Sequence, residues 1–203
     1  MPTAHRACLV AAAMLALCHA AALAQIAPAR SIEELKTETQ ARADRNAYPL
    51  TGLKPADVRT ALSNIATLDR DEWAAAWSAV AATYAASATA AEAAGRIAEA
   101  QENYLQAWRL YSFARWPTPN SPGKQRAYEK SLEAFQGYAR HLDPPPEVVR
   151  IPFEGKEIVG LLRLPKGARA APLVLTISAL DSRKEDNVER GEAFIRRGIA
   201  TFS

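Results

Sequence analysis

The sequence predicts an α/β protein in two parts, a helical domain over residues 55–143 followed by the first strands of a sheet over residues 144–203. Three observations predict it. Apolar residues between positions 55 and 141 recur at helical spacing, Asp143-Pro144-Pro145-Pro146 ends that pattern, and the residues beyond alternate with strand period. With 203 residues, 49% of them hydrophobic, the chain can bury a sizeable core.

Residues 1–24 read as a signal peptide: a short basic lead, an apolar stretch rich in alanine, and Ala22-Leu23-Ala24 as a small-x-small cleavage site before Gln25. A membrane anchor is the competing reading, since the stretch is about long enough to span a bilayer, but the histidine and the cleavage pattern favour export. The protein is therefore expected in the periplasm or secreted, with no stable membrane anchor after cleavage. Both cysteines, Cys8 and Cys18, lie in this segment, so the mature chain has no disulfide, thiolate nucleophile or cysteine metal site. Its one histidine is His141.

Residues 25–54 are polar and are expected to be irregular, although Ser31 to Glu34 could cap a short helix and Tyr48-Pro49 marks a turn. Pro55 suits a first helical position, and Val58, Leu62 and Ile65 give a helix over residues 55–67. Asp69 followed by Glu72 forms a capping-box pattern before Trp73, Trp77, Val80 and Tyr84, which share a face. Gly95 breaks that helix. A third runs over residues 96–116 with Ile97, Tyr104, Trp108 and Tyr111, ended by Pro117. Ser121 and Pro122 open a fourth, which reaches His141 and carries Tyr128, Leu132, Phe135 and Ala139. Trp73, Trp77, Trp108 and Tyr111 are expected in the core, and His141 at a helix C-terminus, where its charge suits the dipole.

After the prolines, Val149, Ile151 and Phe153 alternate with Arg150 and Pro152, Glu154-Gly155-Lys156 turns the chain, and residues 157–164 return as the second strand of a hairpin. Residues 173–177 have no alternation and suit a strand buried on both faces. Residues 185–197 read as a helix with Val188, Gly191 and Ile195 on one face, and residues 199–202 as another strand. Strand, helix and strand make a βαβ unit with parallel strands. Chemistry in such sheets collects at strand carboxyl ends, which singles out residues 178–182.

The wording of this stretch is specific. ALDSRKE after a strand, RIPFEGKEIVGLLRLPKG, RHLDPPPEVV and YSFARWPTPNSPGKQRAYEKSLEAF occur in the order seen in the α/β-hydrolase branch of the fermentation-respiration-switch esterases and the 2,6-dihydroxypseudooxynicotine hydrolases, which the chain resembles over residues 73–203. The resemblance implies a helical cap domain followed by the N-terminal strands of an α/β-hydrolase sheet, truncated before its catalytic triad. It also implies hydrolysis of an ester, or of a carbon–carbon bond beside a ketone, in a small-molecule substrate, with a homodimer left open. Ser178-Ala179 stands where the family shows Gly-Gly, a change that removes conformational freedom from the loop.

In this fold the nucleophile sits on a Gly-x-Ser-x-Gly elbow, followed in the chain by an acid and then a histidine. No such elbow occurs here, and His141 precedes the sheet, so the triad is expected beyond Ser203. The loop can supply one oxyanion-hole N–H, from Ala179 or Leu180. Ser178 and Ser182 have no histidine partner in the sequence pattern and are expected to hold the loop. Asp181 and Glu185 are expected to cap the next helix, Asp181 also ordering the loop. Metal and cofactor motifs are absent, and a net charge of +3 without a basic stripe gives no support to nucleic-acid binding. The reading from another class is an exported helical binding module, because EAAGRIAEAQENYLQAWRLY resembles one tetratricopeptide-type helix pair. No second copy follows at a fixed period.

Overall fold

The computed structural model describes residues 30–203, and the expected signal peptide lies outside them. The chain divides into the units Met1–Leu35 and Lys36–Ser203, so the proline run at residues 144–146 falls inside the second. Residues 25–54 are not irregular throughout, because helix α1 spans Ile32–Asp44. Its start is a reciprocal capping box: Ser31 Oγ accepts from the Glu34 N–H at 3.2 Å and Glu34 Oε2 from the Ser31 N–H at 2.9 Å. The remainder is held by i,i+4 pairs such as Arg42 to Glu38 at 2.7 Å, with only Thr39 and Ala43 buried. A helix with so little apolar surface shows no periodicity to read.

Helix α2, Pro55–Ser63, buries Val58, Ala61 and Leu62 and stops short of residue 67. Its continuation is pre-empted by Glu72, whose carboxylate accepts from the Ala66 and Thr67 N–H groups at 2.6 and 3.1 Å. Ile65 still reaches the core, only 2% exposed, from a turn rather than a helix. Half of the expected capping box at α3, Arg70–Ala93, therefore forms: Asp69 accepts from the Asp71 and Glu72 N–H groups, both at 2.9 Å, while Glu72 serves the preceding turn. Gly95, at φ 71°, reverses the chain into α4, Ile97–Ala114, whose first residue Ile97 is exposed rather than packed. Ser121 caps α5, Pro122–Ala139.

Two aromatic clusters fill the helical core. Fully buried Trp77 meets the Phe113 ring edge-on at 4.6 Å, with Trp73 5.5 Å from both, and Trp108 lies 5.4 Å from Phe135 and parallel to Tyr138. Burial pushes the Tyr138 hydroxyl up to about 12. A Cβ at Gly137 would come within 2.5 Å of the Tyr104 ring, so α4 and α5 approach this closely only because position 137 is glycine.

His141 stands at the C-terminus of α5, as expected, and is engaged there by a carboxylate. It lies beyond the last turn of α5 and pairs through Nε2 with Glu92 Oε1 at 2.8 Å, while the Tyr104 hydroxyl donates to Glu92 Oε2 at 2.8 Å. The tyrosine first, then His141 and Arg140, hold the Glu92 carboxyl below its ordinary range.

Four strands follow: β1 (Glu147–Phe153), β2 (Lys156–Arg163), β3 (Leu173–Leu175) and β4 (Ala200–Phe202), in the order β1-β2-β4-β3. The β1–β2 hairpin turns through Glu154 and Gly155 with φ of 48° and 73°, the positive pair of a tight two-residue loop. As expected, β3 and β4 are parallel, joined through α6 (Lys184–Arg190) and α7 (Glu192–Ile195). The expected single helix breaks at Gly191, where a Cβ would lie 3.0 Å from the Asn187 carbonyl and 3.3 Å from Thr201.

The third strand is not buried on both faces. Leu173 and Leu175 are exposed and Ile177 beyond them is 87% exposed, because β3 is an edge strand and nothing among the described residues covers it. The opposite holds at β2, where the Arg163 side chain is wholly enclosed. Its Nη1 pairs with Glu192 Oε2 at 2.8 Å and its Nε donates to the Pro144 carbonyl at 3.0 Å, tying α7 and the proline run to the sheet.

Candidate active site

Residues 178–182 form the turn between β3 and α6, at the carboxyl end of a parallel strand. The loop is closed by its own hydroxyl. Ser182, 8% exposed, accepts the Ala179 N–H on Oγ at 2.8 Å, and the Ser182 N–H donates to the Ala179 carbonyl at 3.2 Å. Ser178 Oγ accepts from Asn187 Nδ2 at 3.2 Å, which pins the start of the loop to α6. Both serines are thus engaged, Ser182 with backbone and Ser178 with a side chain, and the one histidine among the described residues, His141, is engaged with Glu92.

The two candidate oxyanion donors differ. The Ala179 N–H is already used by Ser182, whereas the Leu180 N–H donates to no acceptor among the described residues, and Leu180 is 92% exposed. An unpaired amide at a strand end is available to a ligand oxygen without first breaking a bond.

The capping roles fall elsewhere than expected. Asp186, not Asp181 or Glu185, takes the Arg183 N–H, at 2.8 Å, because a carboxylate three residues into the helix can reach back over its first turn. Glu185 is buried and pairs with Lys184 Nζ at 3.1 Å. Burial pushes the Asp186 carboxyl up, opposed by the Arg183 N–H and the Arg115 charge. Asp181 instead faces the helical part. Burial first, then the adjacent Asp181 carboxylate, raises the Tyr48 hydroxyl above its ordinary value.

Beside the loop is a cavity of about 430 Å³, lined by Tyr48, Trp108, Phe113 and Trp116 as ring walls and by Arg115 and Asp181 among its polar groups. Arg109 closes one side, paired with Glu189 of α6 and donating to the Gly52 carbonyl at 3.1 Å. Tyr48, Arg115 and Trp116 carry no sequence pattern that marks them as site residues. For Arg115 and Trp116 the one signal is that they fall inside a segment that carries the family resemblance. Among the described residues no group of three or more His, Cys, Asp or Glu side chains is placed to hold a metal ion.

The chain shares its fold with known hydrolases. It superposes on the crystal structure of a 2,6-dihydroxy-pseudo-oxynicotine hydrolase with a TM-score of 0.63 and 23% identity, over 75% of this chain and 42% of that one. Against wild-type AbyA5 the TM-score is 0.57 at 21% identity, over 85% of this chain and 44% of that one. In sequence it is 28% identical over 78 residues to the 2,6-dihydropseudooxynicotine hydrolase of Paenarthrobacter nicotinovorans, a stretch of 38% of this chain and 21% of the relative. The chain spans under half the length of each of these proteins. The fold shared with the two solved structures is that of α/β-hydrolases, of which this chain covers a helical region followed by a small mixed sheet. The family model for FrsA-like esterases matches residues 60–203, most of the chain, and the chain belongs to that family.

Proposed function

We propose that this chain is the leading part of an exported serine hydrolase that cleaves a small-molecule ester, or a carbon–carbon bond beside a ketone. The observation that carries the reading is the free Leu180 N–H on a loop at the carboxyl end of β3, next to an aromatic-walled cavity. As a nucleophile adds to a substrate carbonyl, negative charge develops on the carbonyl oxygen, and an N–H fixed in advance stabilises it without reorganisation. The second donor in this fold is the amide after the nucleophile. In this reading the nucleophile, acid and histidine lie in sequence following Ser203, and Ser178, Asp181 and Ser182 serve the loop. Neither nucleic acid nor a membrane anchor takes part, and the aromatic cavity takes the substrate.

The test compares residues 1–203 with the full-length product of the gene, using an activated ester and a fluorophosphonate probe. Turnover and labelling are expected for the full-length protein at a serine outside this chain, and neither for residues 1–203. Labelling of Ser178 or Ser182 would overturn the assignment, and a full-length protein inert to both reagents would favour the helical binding module.

Export carries its own test. The basic lead, apolar stretch and Ala22-Leu23-Ala24 ending place cleavage before Gln25, so Edman sequencing of protein from the native host is expected to begin at Gln25. A mature species starting at Met1 would refute it.

A further inference from the structure

Arg115 is an unusual residue for its surroundings. It sits at the C-terminal cap of α4, is only 3% exposed, and has no carboxylate within ion-pairing distance among the described residues. Its Nη1 is spent on two backbone carbonyls, Pro117 at 3.1 Å and Asp181 at 3.5 Å, and its Nε has no partner. A buried guanidinium without a salt bridge costs stability, so its retention calls for a return elsewhere. Three contacts reach the loop and the start of α6 from the helical part: Arg115 to the Asp181 carbonyl, Tyr48 beside the Asp181 carboxylate, and the Arg183 guanidinium 5.7 Å from the Tyr128 ring. Two of the three converge on Asp181, whose own N–H is one peptide beyond Leu180.

The geometry points to Arg115 as a positioning residue: from the end of α4 it fixes the Asp181 peptide, and through it the direction of the Leu180 N–H, so the helical part sets the oxyanion loop as well as roofing the cavity. This rests on the oxyanion role proposed above. Both carbonyls are taken by one nitrogen, Nη1, whose two N–H directions the planar guanidinium fixes, whereas those of an ammonium rotate. The loop's internal ties, Ala179 to Ser182 and Ser178 to Asn187, shape it, and the Asp181 carbonyl that Arg115 holds lies inside the first of them, so that tie loosens when the hold is lost.

The experiment uses the full-length protein and two readouts. In Arg115→Met, kcat on an activated ester is expected to fall about 10²-fold with KM little changed, the mark of a displaced transition-state donor. Arg115→Lys, which keeps the charge and loses the fork, is expected to recover only part of that loss. In both variants the Ala179 and Ser182 amides should exchange with solvent faster than in the parent, while amides in α4 and α5 keep their protection. Parent-like exchange at these two amides, or kcat within twofold of the parent, in either variant that folds would overturn the role. Should the parent itself hydrolyse no ester, the proposed function fails, and amide exchange alone decides whether Arg115 sets the loop.

Discussion

Leu180→Pro in the full-length protein is expected to lower kcat by about two to three orders of magnitude while leaving KM nearly unchanged, because it deletes one of two oxyanion donors. Proline removes the N–H and fixes φ, and at 92% exposure the Leu180 side chain packs against little, so the fold should survive the change. Ala179 is the control. Its N–H is bound to Ser182 Oγ at 2.8 Å, so Ala179→Gly keeps that bond and should leave kcat close to the parent value. Steady-state kinetics on an activated ester, with a melting curve for each variant, reads the contrast. A folded Leu180→Pro protein with parent-like kcat would remove Leu180 from the mechanism, and a large loss in Ala179→Gly, which keeps every N–H of the loop, would mean that kcat reads the loop's shape rather than one donor.

Much of the architecture was legible because it is local. Ser121 before Pro122, Asp69 before α3, Gly95 between two helices and Glu154-Gly155 between alternating runs are each decided within a few residues, and each occurs where the pattern places it. The aromatic core was legible for the same reason, since helical spacing puts Trp77, Trp108 and Tyr111 on inward faces. What was lost depends on distant partners. Helix α2 ends early because Glu72 claims the amides that would have extended it, and His141, at the end of α5, finds its partner in Glu92, 49 positions earlier. The apolar run of β3 correctly signals a strand but not its cover, because hydrophobicity reports what a segment requires and not what is packed on it.

The site divides along the same line. The loop was found from its position after a strand and from the matched segments, whereas the choice between Ala179 and Leu180 needed the Ser182 hydroxyl in three dimensions. Arg115 and Tyr48 lie 66 and 133 positions before Asp181, and nothing in their local sequence ties them to it. Asp186 displaced Asp181 as the cap because the helix begins at Lys184, later than a cap at residue 181 requires.

The second large effect is on stability and concerns Arg163. Its side chain has no exposed surface, Glu192 is its one carboxylate partner among the described residues, and Nη2 is already without an acceptor. Glu192→Gln therefore leaves a buried guanidinium with no counter-charge, answered only by neutral oxygens, the introduced amide and the Pro144 carbonyl. Breaking a buried pair from one side typically costs 3–5 kcal/mol, and with Glu192 itself 37% exposed the loss should be near the lower end, about 3 kcal/mol. Denaturant unfolding of the full-length protein at neutral pH reads it as a lower midpoint at unchanged slope. The discriminating variant is Arg163→Met combined with Glu192→Gln, which removes the stranded charge and should recover much of the loss, giving a coupling energy well above the few tenths of a kcal/mol found for distant sites. A single Glu192→Gln cost under about 1 kcal/mol would mean that the pair behaves as a surface ion pair, and that burial of Arg163 rather than its charge partner holds α7 and the proline run to β2.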